Sequence, residues 1–394
     1  MNVTHIAMTP LAGSPIRIVN ALNKHTNIYA RLIIFNTHIY GNRTYPGDLD
    51  WQLDRDAAIT AINNADIIHF HHYINLENNP FNINFKIINK KLIRQFHSHP
   101  LFIAQGNKKL ASEIIHSDVP QLVIAQYHER FFPNARVVPN IIPVNDELYQ
   151  PLTDKDDNNF CIFFSSTTKA PAFKNENSMS RWDTKGYSET LDVINKIKKT
   201  NKNIYLDICV DRPYEDCLVS RARSQIAIDE MVTGSYHLSG LESLTQAIPT
   251  LSYLDLRTIG TLAKITGVNE CPFINVRVEE SFYILQELIR NRSLRREIGS
   301  YSRKWILKYY NDREMIKYYE DSYHDLFNNP KNFNKDYIRM DNRKLNDWYS
   351  KDLYELAWKS RAKNNQKNLI INKIFILIKR VTIKIVNKWW KVIS

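Results

Sequence analysis

Glycine is scarce, with 10 in 394 residues. That excludes collagen-like and linker-like chains, and no G-x-G-x-x-G is present, so the dinucleotide-binding fingerprint is missing. Cysteine is also rare: the four, at 161, 209, 217 and 271, form no Cys-x-x-Cys pair and no Cys/His cluster of zinc spacing. Cys161 and Cys209 sit inside apolar runs, which predicts buried free thiols in a reducing compartment. No stretch of about 18 apolar residues occurs, so no transmembrane helix is expected. Residues 1–15 lack a basic, apolar leader, so a cytoplasmic location is expected. The last absence is acidic charge from residue 359 onward, where ten Lys and Arg stand with no Asp or Glu.

What is present is enough for real cores: 43% hydrophobic residues and 11% aromatic. The net charge of +12 is unevenly placed. Residues 331–394 hold 16 basic and 5 acidic side chains, leaving 37 and 36 for residues 1–330. The body is nearly neutral and the charge is an appendage. A nucleic-acid binder more often carries its charge as a patch on the folded domain, and no nucleic-acid partner is expected here.

Apolar runs alternate with helical patterns throughout residues 1–330. Strands are predicted at 2–8, 29–36, 66–71, 121–125, 135–138, 160–164, 204–210, 224–228 and 250–254. Helices are predicted at 16–23, 54–63, 188–199, 241–247, 279–291, 294–308 and 312–327. Residues 85–95 have helical spacing around Ile87, Ile88 and Leu92, although 92–97 also reads as a strand. Pro139, Pro143 and Pro151, with the acidic stretch 154–157, mark a boundary between two units. Strands alternating with helices, without hairpin turns, predict parallel doubly wound sheets, with ligands at the carboxyl ends of strands.

Several loops there carry chemistry. Gly13 and Ser14 follow the first strand, where a glycine lets backbone amides approach an anion. His69, His71 and His72, with His97 and His99, gather near strand ends, where an imidazole can donate a hydrogen bond or act as a base. A metal is conceivable there, but no Asp or Glu stands at ligand spacing. Arg181 and Lys185 precede a helix and could hold a diphosphate. Ser239, Gly240, Leu241 and Glu242 open another helix, whose amides would face a phosphate. Glu242 in a first turn would also favour the helix dipole without any ligand. Asp54-Arg55-Asp56 has the form of a metal motif, but in a helix residues two apart do not face one another, so no metal role is assigned.

These pieces, in this order, resemble the GT-B glycosyltransferases, most closely the retaining family 4 type. The resemblance rests on the Gly13-Ser14 loop, Asp66–His71, Val138–Pro143 with Tyr149-Gln150-Pro151, Lys185-Gly186 and Leu238–Pro249. It implies an α/β fold of two Rossmann-like domains facing a cleft, with residues 1–145 on the acceptor side and 146–330 on the nucleotide-sugar side. It implies transfer of a sugar from a UDP- or GDP-sugar to an acceptor hydroxyl with retention. No metal or other cofactor is implied. Arg181 and Lys185 match the family's diphosphate pair, although Arg181 is one residue closer to Lys185 than usual. Glu242 matches the second Glu of E-x7-E, the one that contacts the donor ribose. The first Glu falls at Gly234 and is absent. His71 best matches a histidine beside the transferred sugar, with His97 the second choice. A nucleotide-sugar 2-epimerase and a non-catalytic binding protein are the rival readings on this fold.

Residues 331–394 are expected to form a basic helical extension. Within 368–394, Lys373, Arg380, Lys384 and Lys391 share one helical face, opposite Ile374, Phe375, Ile378, Val381, Ile385, Trp389 and Val392. Such a helix suits an anionic membrane surface. Together the readings predict a cytoplasmic enzyme held through 359–394 at the inner membrane face. Its acceptor would be a lipid-linked glycan of surface polysaccharide synthesis.

Overall fold

A computed structural model describes residues 1–37, 44–153, 155, 160–166, 184–201 and 203–333. Two all-parallel sheets are present. The first has seven strands in the order β3-β2-β1-β4-β5-β6-β7. They are β1 (Asn2–Ala7), β2 (Tyr29–Ile34), β3 (Leu49–Asp50), β4 (Ile67–His71), β5 (Lys91–Phe96), β6 (Gln121–Ile124) and β7 (Arg136–Val138). The second has five strands, β12-β11-β10-β8-β9. These are β8 (Phe160–Ser165), β9 (Ile204–Cys209), β10 (Ile226–Glu230), β11 (Thr250–Ser252) and β12 (Ile274–Asn275). Nearly every residue of β1, β4, β8 and β10 is buried, as in a parallel sheet covered by helices on both faces, and β8 shows it as an almost unbroken apolar run. This is the doubly wound α/β architecture expected from the alternation of elements.

Side chains alternate across each strand. On β4, Ile68 and Phe70 face a core shared with Ile6, Trp51, Phe81 and Phe85. Ile67 faces the opposite core, which continues into Tyr236, Leu241 and Trp305 of the second half. The ambiguous stretch resolves as a strand at Lys91–Phe96. No helix forms there, because Phe85 is drawn fully into the core and its amide bonds to the carbonyl of Leu76. The expectation of four free thiols is corrected: Cys209 at the end of β9 is disulfide-bonded to Cys217, and only Cys161 and Cys271 are free. The two are eight residues apart, a spacing that matches no cysteine motif in the sequence.

The final helices return to the first sheet. The helix Lys317–Asn328 lays Tyr319 and Tyr323 over β1, β4 and β5. Asp312 pairs with His25 at 2.8 Å, and Arg136 of β7 bonds Asp325 at 2.9 Å. Residues 312–333, which follow the second sheet in sequence, therefore complete the first.

The helix Arg292–Tyr309 crosses the helix Leu238–Thr245 at Gly299. A Cβ at Gly299 would lie 2.1 Å from the backbone oxygen of Ala247, where no rotamer change can relieve it. Gly299→Ala is expected to cost about 3 kcal/mol, the upper end of overpacking, read as a lower urea midpoint at unchanged slope.

Candidate functional site

The carboxyl ends of β8 and β10 bring the second-half candidates together. Gly186, at φ +60, ends the turn before the helix Tyr187–Thr200; a Cβ there would meet Val232 Cγ2 at 2.4 Å, so only glycine fits. Lys185, also left-handed at φ 53, turns its Nζ inward to Asp229 and Ser165, both at 3.4 Å, and to Ser239. Burial lowers the Lys185 pKa, and the carboxylate of Asp229 opposes that. Asp229 in turn accepts from the backbone N–H of His237 at 2.6 Å and from Ser239 Oγ at 2.7 Å. It thereby anchors the start of the helix Leu238–Thr245. Gly240 permits this approach, since a Cβ there would sit 2.6 Å from Asp229 Oδ2. Leu241, by contrast, points into the main core.

Glu242 is buried between two arginines. Its Oε1 accepts from Arg17 Nη2 at 2.7 Å and from the Tyr214 hydroxyl at 3.2 Å, and its Oε2 lies 2.7 Å from Arg221 Nη1. Tyr214 also bonds Arg17 and Tyr149. Burial by itself would raise the Glu242 pKa; Arg221 and Arg17 overcome that and hold it below the usual carboxylate value. Arg17 belongs to the helix Ser14–His25, directly after the Gly13-Ser14 loop. Gly13, at φ +74, faces the Arg17 guanidinium, and Ser14 Oγ donates to Asn140 Oδ1 at 3.4 Å. The helix Ser14–His25 thus meets the helix Leu238–Thr245 through the Arg17–Glu242 ion pair.

The cluster holds three cations, Arg17, Arg221 and Lys185, against two carboxylates, Glu242 and Asp229. Buried Arg17 Nη1 and Arg221 Nε have no hydrogen-bond partner. A buried guanidinium left partly unpaired is costly, and a planar donor fork matches a phosphate oxygen pair. Neither arginine was singled out from the sequence. The available signal was weak: each arginine stands among residues that its helix buries, Arg17 between Ile16 and Ile18, and Arg221 three residues after Leu218.

Gly234, where the resemblance lacks a Glu, has φ +89 and lies against Asp255, which a Cβ would meet at 3.1 Å. Its loop is tied instead to Glu230, whose carboxylate accepts from Thr233 N at 2.8 Å, Thr233 Oγ1 at 2.6 Å and Gly234 N at 3.1 Å. Burial outweighs those hydrogen bonds and pushes the Glu230 pKa up to about 7.

The histidines form a connected chain. His71 Nδ1 and His97 Nε2 share a hydrogen bond of 3.0 Å, as do His71 Nε2 and His5 Nδ1. His5 Nε2 reaches the Tyr323 hydroxyl at 3.2 Å, and that hydroxyl meets His69 Nδ1 at 2.7 Å. His71 is fully buried, whereas His97, just past the end of β5, retains some exposure. Burial holds both below the ordinary imidazole pKa, so both are neutral at pH 7. His99 caps the helix Pro100–Ile103 through its ring nitrogen. His5 was not foreseen, because it lies 66 residues from His71 and only the β1–β4 pairing brings them together. Arg181 and the extension from 334 onward, including 359–394, lie outside the described residues.

No protein-family model matches this chain, and no curated protein matches it. Solved structures do. Sucrose-phosphate synthase from Thermosynechococcus elongatus is similar at a TM-score of 0.50 and 10% identity, over 83% of this chain and 99% of that one. HepE from Anabaena, solved with UDP and glucose, is similar at a TM-score of 0.50 and 13% identity, over 82% of this chain and all of that one. The chain has the GT-B fold, two Rossmann-like sheets of the kind these glycosyltransferases share. Among the described residues, no helix is long and apolar enough to cross a membrane.

Proposed function

We propose that this protein is a glycosyltransferase that moves a sugar from a nucleotide diphosphate sugar to an acceptor hydroxyl. The observation that carries the reading is the cation-rich cluster of Lys185, Arg17 and Arg221 around Glu242, with guanidinium N–H groups unpaired. It lies at strand carboxyl ends, where this fold places ligands. A UDP-sugar is the donor class to try first, since HepE, of the same fold, holds UDP and glucose.

In this reading Lys185 and the two arginines offset the charge that grows on the departing diphosphate, together with the amides at the start of helix 238–245. Glu242 receives the ribose hydroxyls. Its Oε1 is occupied by Arg17, so donor entry transfers Arg17 from Glu242 to the diphosphate. His97 is the histidine with access to the transferred sugar; His71 orients it through their shared hydrogen bond. Retention, a lipid-linked acceptor in surface polysaccharide synthesis and attachment of 359–394 to the inner membrane face complete the proposal.

The test is thermal unfolding with UDP- and GDP-sugars, followed by transfer assays. A bound donor is expected to raise the Tm in proportion to its saturation, and Lys185→Ala to weaken that binding at least tenfold, about 1.4 kcal/mol. Unaltered transfer in both Lys185→Ala and Glu242→Ala would sink the site assignment. Anionic vesicles should bind the full chain and not one lacking 359–394.

A further inference from the structure

We propose that His5, His69 and His71 form a buried site for one divalent transition-metal ion, zinc fitting best. The proposal uses none of the residues around Glu242 and shares only His71 with the glycosyltransferase reading, so metal binding and donor binding are tested separately.

Each of the three rings offers a nitrogen such that all three lie within 4.8 Å of one another, and none of the rings is exposed. The sheet builds this arrangement. His5 stands opposite His69 in the β1–β4 register, and His71 follows two residues later on the same face. The rings stack at centroid separations of 4.5 to 5.2 Å.

Two buried polar atoms in this layer have no hydrogen-bond partner: His69 Nε2 and the side-chain oxygen of Gln95, which pairs in register with His71. Native interiors rarely leave such an atom without a water or an ion.

The surrounding bonds suit an ion. Zinc-bound histidines donate their second N–H to an outer partner, which fixes the ring. With His5 Nδ1, His69 Nε2 and His71 Nε2 turned to the ion, the second nitrogens already have acceptors. His5 Nε2 and His69 Nδ1 meet the Tyr323 oxygen, and His71 Nδ1 meets His97 Nε2. Bonds of about 2.1 Å in a tetrahedron place ligand nitrogens about 3.4 Å apart, so the rings close on the ion by small rotations, with one water as the fourth ligand. Three imidazoles with no carboxylate favour zinc over calcium or magnesium, which take oxygen ligands. Through Tyr323 the ion would tie helix 317–328 to β1 and β4.

The experiment uses the untagged full chain, stripped by chelator and then given Zn2+ or Co2+ alone. One zinc per chain is expected after dialysis, and the intense visible absorption of four-coordinate Co2+. His5→Gln, His69→Gln and His71→Gln should each weaken binding at least tenfold, while His116→Gln, on the surface, leaves it unchanged. If the histidine variants fail to fold, the Co2+ spectrum of the wild type still decides. A folded wild type that retains no zinc, a six-coordinate Co2+ spectrum, or equal binding in all variants would overturn the site.

Discussion

Acidifying the metal-free protein from pH 7 to pH 5 is expected to unfold it cooperatively. Burial lowers the pKa of His5 to about 3, of His128 to about 3 and of His72 to about 4. Below pH 6.5 the unfolded chain takes up protons at these rings and the folded chain does not. Stability is therefore full above 6.5 and falls as the pH drops. At pH 5 each ring accounts for about 2 kcal/mol, or about 6 kcal/mol for the three. His69, His71 and His97 are shifted the same way and add to the loss. Glu230 opposes them. Its pKa of about 7 means that the folded state gains a proton first on acidification, returning about 2 kcal/mol by pH 5. The histidines win by number, and the loss is comparable with a domain's whole stability. Far-ultraviolet circular dichroism against pH would show it; a signal unchanged down to pH 5 would mean that the histidine layer is not dry.

The second large effect is that of Glu242→Ala. Removing this carboxylate leaves Arg17 and Arg221 facing each other in a dry site, with nothing of opposite sign between them. The expected cost is about 3–5 kcal/mol in urea unfolding, typical of a broken buried ion pair. Replacing all three together, as Arg17→Met, Glu242→Leu and Arg221→Met, should restore most of that stability, because an apolar trio of similar volume pays no desolvation. Nucleotide-sugar binding should be lost in both. A triple variant as unstable as Glu242→Ala would show that the arginines serve the fold through other bonds. Retained donor binding in the triple variant would place the diphosphate elsewhere.

The parts legible in the sequence were those carried by short-range pattern. Apolar runs of four to six residues marked most strands, and the Leu238–Pro249 segment pointed to the helix that holds Ser239, Gly240 and Glu242. Lys185 was legible because Gly186 follows it at a turn. What stayed hidden depends on contacts between distant residues. Arg17 and Glu242 are 225 residues apart, and a single arginine in a helical pattern does not announce its partner. His5 looked like one residue of an ordinary strand until β4 was laid beside it. Residues 85–95 satisfied two periodicities, and burial of Phe85 decided between them. The return of helix 317–328 to the first sheet leaves no local mark at all.

That return governs when the protein can fold during its own synthesis. The ring of His5 rests against Tyr323, 318 residues later. As the chain leaves the ribosome, β1 and β4 emerge early, with their imidazoles uncovered and their apolar neighbours wet. They remain so until the helix Lys317–Asn328 has been made, tens of seconds later at about 5–20 residues per second. The second sheet, whose strands all lie between residues 160 and 275, has no such wait. The half of the molecule translated first is therefore the half completed last, and the nascent chain is most exposed to aggregation in that interval.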